Sequence, residues 1–104
     1  MKRVAVISVS DKTNVDKMAE FLLMKNYQLH TSDGTYAYLC EKSEICRNHH
    51  DVHTISELTT FPEILDGRVK TLHPTIYGGI LAKRGNTSHL QDLKENGIPY
   101  IDVV

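Results

Sequence analysis

The chain has no tryptophan, only two phenylalanines and three prolines, and just two cysteines in 104 residues. Two cysteines are too few for the disulfide scaffold that small secreted domains use. Cys40 and Cys46 would also fall on different faces of one helix, so reduced thiols and a cytoplasmic setting are the expectation. The longest apolar run near the N-terminus, Val4–Val9, is strand-sized, well short of the ~20 residues that cross a bilayer, and no secretory signal is expected. A net charge of −1 leaves no basic footprint for nucleic acid. What is present is ordinary for a folded domain: 40% hydrophobic and 24% charged residues, enough for one domain over residues 1–104 with a core of its own.

Hydrophobic patterning alternates between strand-like and helix-like segments. Val4–Val9 is a β-branched run of the kind that forms a buried parallel strand. Thr13 with Asp16 resembles a capping box for a helix in which Val15, Met18, Ala19, Leu22 and Leu23 share one face. Gln28–Thr31 and Val52–Ile55 read as further strands, with a helix over Thr35–Lys42 and a polar surface loop over Ser43–Asp51 between them. Thr60 and Glu63 mark another helix start, Ile80–Ala82 a short strand, and Ser88 with Gln91 the cap of a last helix that Gly97 ends. Tyr100–Val104 reads as a closing strand. Strands alternating with helices predict an α/β fold, a doubly wound parallel sheet in a three-layer α/β/α arrangement.

Ligands in such folds bind outside the carboxyl ends of the strands. Three loops reach that edge. The first offers Ser10 and Lys12; the second Ser32, Asp33, Gly34 and Thr35 ahead of a helix; the third, DGRVKTLHP at Asp66–Pro74, offers Arg68, Lys70, Thr71 and His73. Hydroxyls, cations, a close-approach glycine and a helix N-terminus together make a phosphate cradle. Any one loop alone is what turns and helix caps also produce. Cys46, His49, His50 and His53 lack the paired spacing of a zinc site and read as a polar loop, so no metal is expected.

These residues resemble one family. ISVSDKT at Ile7–Thr13, TSDGT at Thr31–Thr35, FPEILDGRVKTLHP at Phe61–Pro74 and GGILAKR at Gly78–Arg84 are similar to the IMP cyclohydrolase domain that precedes a transformylase domain in a bifunctional enzyme of purine biosynthesis. The resemblance implies a methylglyoxal synthase-like fold and a reaction without metal or cofactor. In that reaction a formamidoimidazole carboxamide ribonucleotide closes to IMP with loss of water. It further implies that Ser10, Lys12, Ser32, Gly34, Thr35 and Thr71 hold the 5′-phosphate, that Arg68 anchors the nucleotide, and that Lys70 acts on the reacting base.

Asp33 stands where the family's phosphate loop has a glycine, placing a carboxylate beside the expected phosphate. Ser43–Asp51 is longer than the family's link. The family's tyrosine, aspartate and second lysine lie in a stretch after the position of Val104, so the chain is expected to lack the C-terminal part of the family domain and the transformylase domain. Two other readings stay open: a nucleotide-phosphate binding module without turnover, and a lyase of the methylglyoxal synthase kind. A purine nucleotide is the expected small-molecule partner, with a second copy or a complementing chain at the exposed sheet edge.

Overall fold

The computed structural model describes residues 2–104. Its elements are β1 (Arg3–Ile7), α1 (Val15–Met24), β2 (Tyr27–Thr31), α2 (Asp33–Lys42), α3 (Glu44–Asn48), β3 (Val52–Thr54), α4 (Ile55–Thr59), α5 (Pro74–Leu81) and α6 (Thr87–Asn96), with a 3-10 turn at Leu65–Gly67. The three strands pair in parallel in the order β1-β2-β3, with Ala5 opposite Leu29 and Leu29 opposite Val52.

Successive side chains of β1 point to opposite faces, and the chain covers both. Ala5 and Ile7 pack with Val15, Ala19, Leu22 and Leu23 of α1, Leu39 of α2 and Cys46 of α3. Val4 and Val6 pack with Ile55 of α4, Ile76 of α5 and Ile101. An unbroken apolar strand is therefore required at β1, because neither face meets water. The result is the expected three-layer α/β/α sandwich. Leu29 and Leu39 have no exposed surface, so truncating either to alanine would cost about 2–5 kcal/mol.

Several local expectations give way. Asn14, in the left-handed region at φ 63°, precedes α1 without a side-chain cap, and the Thr13 N–H instead bonds Asp11 Oδ1 at 3.0 Å. Most of Ser43–Asp51 is not loop: Ser43 caps α3, whose Cys46 is buried in the core, and only His49–Asp51 turn the chain into β3. Thr60 does not start a helix but ends α4 at φ 57°. The strand expected at Ile80–Ala82 is the last turn of α5 and its cap. Pro74 opens that helix at a position where its missing N–H is harmless. The last helix starts one residue before Ser88, at Thr87, capped by Asn86 rather than Ser88, and Gly97 ends it at φ 64° as expected.

Tyr100–Val104 forms a single bridge rather than a full strand, Val103 pairing in parallel with Ala5. The Val6 N–H donates to the Val103 carbonyl at 2.8 Å, and the Asp102 N–H to the Val4 carbonyl at 2.7 Å. The terminal segment thus lies on the side of β1 away from β2. The chain leaves β1 in one direction toward β2 and returns on the other side, which makes the upper end of β1 the point where the winding reverses.

Candidate functional site

A cleft of about 880 Å³ opens at that reversal point. Its floor is apolar, from Val6, Ile7, Val15, Ile76 and Val103, and its rim is polar, from Ser8, Asp11, Thr13, Arg68, Lys70 and Thr71. The first and third loops therefore face each other across it. Arg68 is exposed, while Lys70 and Thr71 are half-buried. Ser8 and Asp11 were not among the expected residues. Asp11 is held below the usual carboxylate range by the Thr13 backbone N–H and hydroxyl, so it presents a fixed negative charge at the rim.

The second loop forms a separate, adjoining part of the site. Ser32 is the N-cap of α2, its Oγ accepting the Thr35 N–H at 3.4 Å and donating to Thr35 Oγ1 at 2.8 Å. Both hydroxyls are buried against each other, whereas Asp33 and Gly34 are exposed at the helix start. Gly34 lies against Lys12: a Cβ added there would sit 3.9 Å from Lys12 Cε. Lys12 Nζ donates to the Val9 carbonyl at 2.9 Å. Ser10 is exposed, and like Lys12 it does not line the cleft.

The two parts meet through Glu63. Its Oε2 accepts the Asp33 N–H, the first of α2, at 2.7 Å. Its Oε1 lies only 2.7 Å from where a Gly67 side chain would begin, and Lys70 Nζ lies 3.3 Å from the same point. Lys70 Nζ donates to the Gly67 carbonyl at 3.0 Å. Gly67 has φ 75° and follows Leu65 and Asp66 at φ 53° and 57°. Three consecutive left-handed residues fold the third loop tightly enough to bring Lys70 beside Glu63. Burial and the neighbouring Glu63 carboxylate push Asp33 above its ordinary range. So Lys12 links the first loop to the second, Glu63 links the second to the third, and Lys70 stands at the join with the cleft.

The other candidates have structural employment. His73 caps α5, its Nδ1 accepting the Thr75 N–H at 3.1 Å. His49, His50 and Asp51 bring their potential ligand atoms within 4.8 Å of one another. However, His49 Nδ1 already accepts the Asp51 N–H at 3.1 Å, and the Asp51 carboxylate pairs with Lys2. Burial alone would raise Asp51, but Lys2 and the two histidines outweigh it and hold the group low. Cys46 is buried in the core, and His53 stacks on His30 with ring centres 5.2 Å apart.

No family model matches the chain. Its full length is nevertheless similar to curated proteins. It is 48% identical over 104 residues to the bifunctional purine biosynthesis protein PurH of Fusobacterium nucleatum and 49% identical over 104 residues to PurH of Clostridium perfringens, covering all of this chain and 19% and 20% of those proteins. PurH of Staphylococcus aureus is 46% identical over 100 residues, or 96% of this chain and 19% of that protein. A solved structure described as ForH superposes with a TM-score of 0.81 at 38% identity, over 99% of this chain and 51% of that one. Along its whole length the chain is thus similar to PurH proteins, and it spans about one fifth of the length of the relatives it matches.

Proposed function

We propose that this chain binds a purine ribonucleotide by its 5′-phosphate and serves the IMP cyclohydrolase step of purine biosynthesis, in a cytoplasmic setting. The observation that carries the reading is the place of Lys70, which lines the cleft and lies close to Gly67, over which Glu63 reaches to the start of α2, in a chain similar throughout to PurH. The phosphate would lie against α2, where Lys12, Gly34 and the helix dipole favour an anion. Ser10, Ser32, Thr35 and Thr71 would complete its surroundings, with Asp33 turned aside. The nucleoside would extend into the cleft, with Arg68 at its rim.

In the reaction the carboxamide nitrogen attacks the formyl carbon of the formamido group. The carboxamide nitrogen gives up one of its two protons as the carbinolamine forms. The carbinol oxygen then leaves as water as the former formamido nitrogen gives up its proton. The new C=N bond completes the ring, with one hydrogen kept on the carboxamide nitrogen. A cation fixed beside the carbinol oxygen stabilises the charge developing on it, and this is the role of Lys70. Both reacting groups belong to one molecule, so holding them in attack geometry supplies much of the rate. The assignment of residues 1–104 to a single IMP cyclohydrolase-like domain is part of the same proposal.

One observation favours binding without turnover: Lys70 Nζ donates to a carbonyl of its own loop and must leave it to reach a substrate. Calorimetric titration with IMP, followed by a turnover assay on the formylated precursor, separates the readings. The expected result is IMP binding lost in a Lys12→Ala/Thr71→Ala double variant, and turnover lost with binding kept in Lys70→Ala. Binding by the wild type without turnover would leave a nucleotide-binding module. Phosphate release from dihydroxyacetone phosphate would favour the lyase instead.

A further inference from the structure

We propose that the Glu63 carboxylate is an internal competitor for the anion site at the start of α2, occupying it in the free protein and leaving when a phosphate monoester arrives. The inference rests on the phosphate reading above and adds a residue and a step to it. The contact has the form of a bound anion. Glu63 Oε2 takes the first N–H of α2 at 2.7 Å, and Oε1 rests over Gly67 near the Lys70 ammonium. A backbone N–H at a helix N-terminus and a nearby cation are the partners a phosphate oxygen would seek.

Two further facts argue that this contact is made to be broken. Glu63 sits in a segment without regular structure between α4 and the 3-10 turn at Leu65–Gly67, so its withdrawal disturbs no helix or strand. Asp33, exposed beside it, carries a second carboxyl whose ionisation Glu63 disfavours. Two like charges at one helix start raise the energy of the free state. An incoming phosphate therefore displaces an anion already under repulsion, near a lysine whose own hydrogen bond goes to the Gly67 carbonyl.

The test uses the whole 104-residue chain, with IMP and inorganic phosphate as probes in calorimetry. Glu63→Gln keeps an oxygen that can accept the Asp33 N–H but removes the charge. It should bind both probes more tightly than wild type, by about tenfold, the scale of one charge-assisted hydrogen bond. A merely structural tether predicts the opposite, equal or weaker binding, and that result overturns the inference while leaving the phosphate site standing. If neither folded protein binds either probe, the phosphate reading falls and the competitor with it. A wild-type measurement guards against a variant that fails to fold. On saturation with IMP, the Glu63 side-chain carboxyl carbon and the Asp33 amide should both shift in NMR spectra, and an unmoved Glu63 carboxyl would overturn the displacement.

Discussion

The Gly79 carbonyl accepts the Ile101 N–H at 3.1 Å, and the two backbones approach so closely that a Cβ on Gly79 would lie 2.3 Å from the Pro99 carbonyl oxygen and 3.0 Å from Ile101 Cγ1. This contact seats α5 against the terminal segment and shapes the wall of the cleft. The obstacle is backbone and cannot turn away. Gly79→Ala should therefore destabilise the fold by about 1–3 kcal/mol, the cost of overpacking, read as a lower urea midpoint. Gly78→Ala, whose nearest obstacle is the flexible tip of Ile98 at 3.2 Å, should cost less.

That pair of glycines also marks what the sequence could and could not convey. Val4–Val9 was legible as a buried parallel strand because both faces of β1 are covered, although the strand itself ends at Ile7. Ile80–Leu81 gave the same short apolar signal and is helical, because Pro74 and His73 start a helix six residues earlier; the proline was the better evidence. Glu63 shows a subtler miss. The pattern Thr60-x-x-Glu63 reads as the capping box of a helix that does not form there; Glu63 instead accepts an N–H of α2, thirty residues away in sequence. Local spacing carries no information about such a partner. For the same reason the three loops were recognisable one by one, while their meeting through Lys12 and Glu63 was not.

Acid should weaken the fold through His30. Burial holds this imidazole below its ordinary value of 6.5, helped by His53 and opposed by the Thr54 carbonyl and Glu57. The folded chain thus keeps His30 neutral where the unfolded chain protonates it, and the unfolded state binds more protons. Stability from this group is full above pH ~6.5 and declines as the pH falls from there toward the lower folded value. Chemical denaturation between pH 7.5 and 5 should show that decline, and His30→Leu should flatten it; an unchanged slope in the variant would remove His30 as the cause.

Ser32 tests whether the second loop serves the helix, the ligand or both. Its side chain caps α2 and bonds Thr35 Oγ1 at 2.8 Å. Loss of the cap in Ser32→Ala should cost about 0.5–2 kcal/mol, whereas glycine at an N-cap costs only a few tenths. Ser32→Gly should therefore stay close to wild type in thermal melts. If the hydroxyl also contacts phosphate, both variants should weaken IMP binding to a similar degree, despite their different stabilities. Weakened binding in the alanine variant alone would mean that Ser32 acts only through the helix.

Gly67 and Gly85 provide a matched comparison at the join of the site. Both have positive φ, 75° and 86°, but a Cβ on Gly67 meets Glu63 Oε1 at 2.7 Å and Lys70 Nζ at 3.3 Å, while one on Gly85 meets nothing within 4 Å. Alanine at either position should cost about 1 kcal/mol or somewhat more for the left-handed backbone. Only Gly67→Ala should also drive Glu63 off the start of α2, because a side-chain tip yields more readily than backbone. The Asp33 amide resonance should then move in Gly67→Ala and remain in place in Gly85→Ala. An Asp33 amide unmoved in both would mean that Gly67 is needed for its backbone angle alone, and that the close approach of Glu63 and Lys70 is incidental to it.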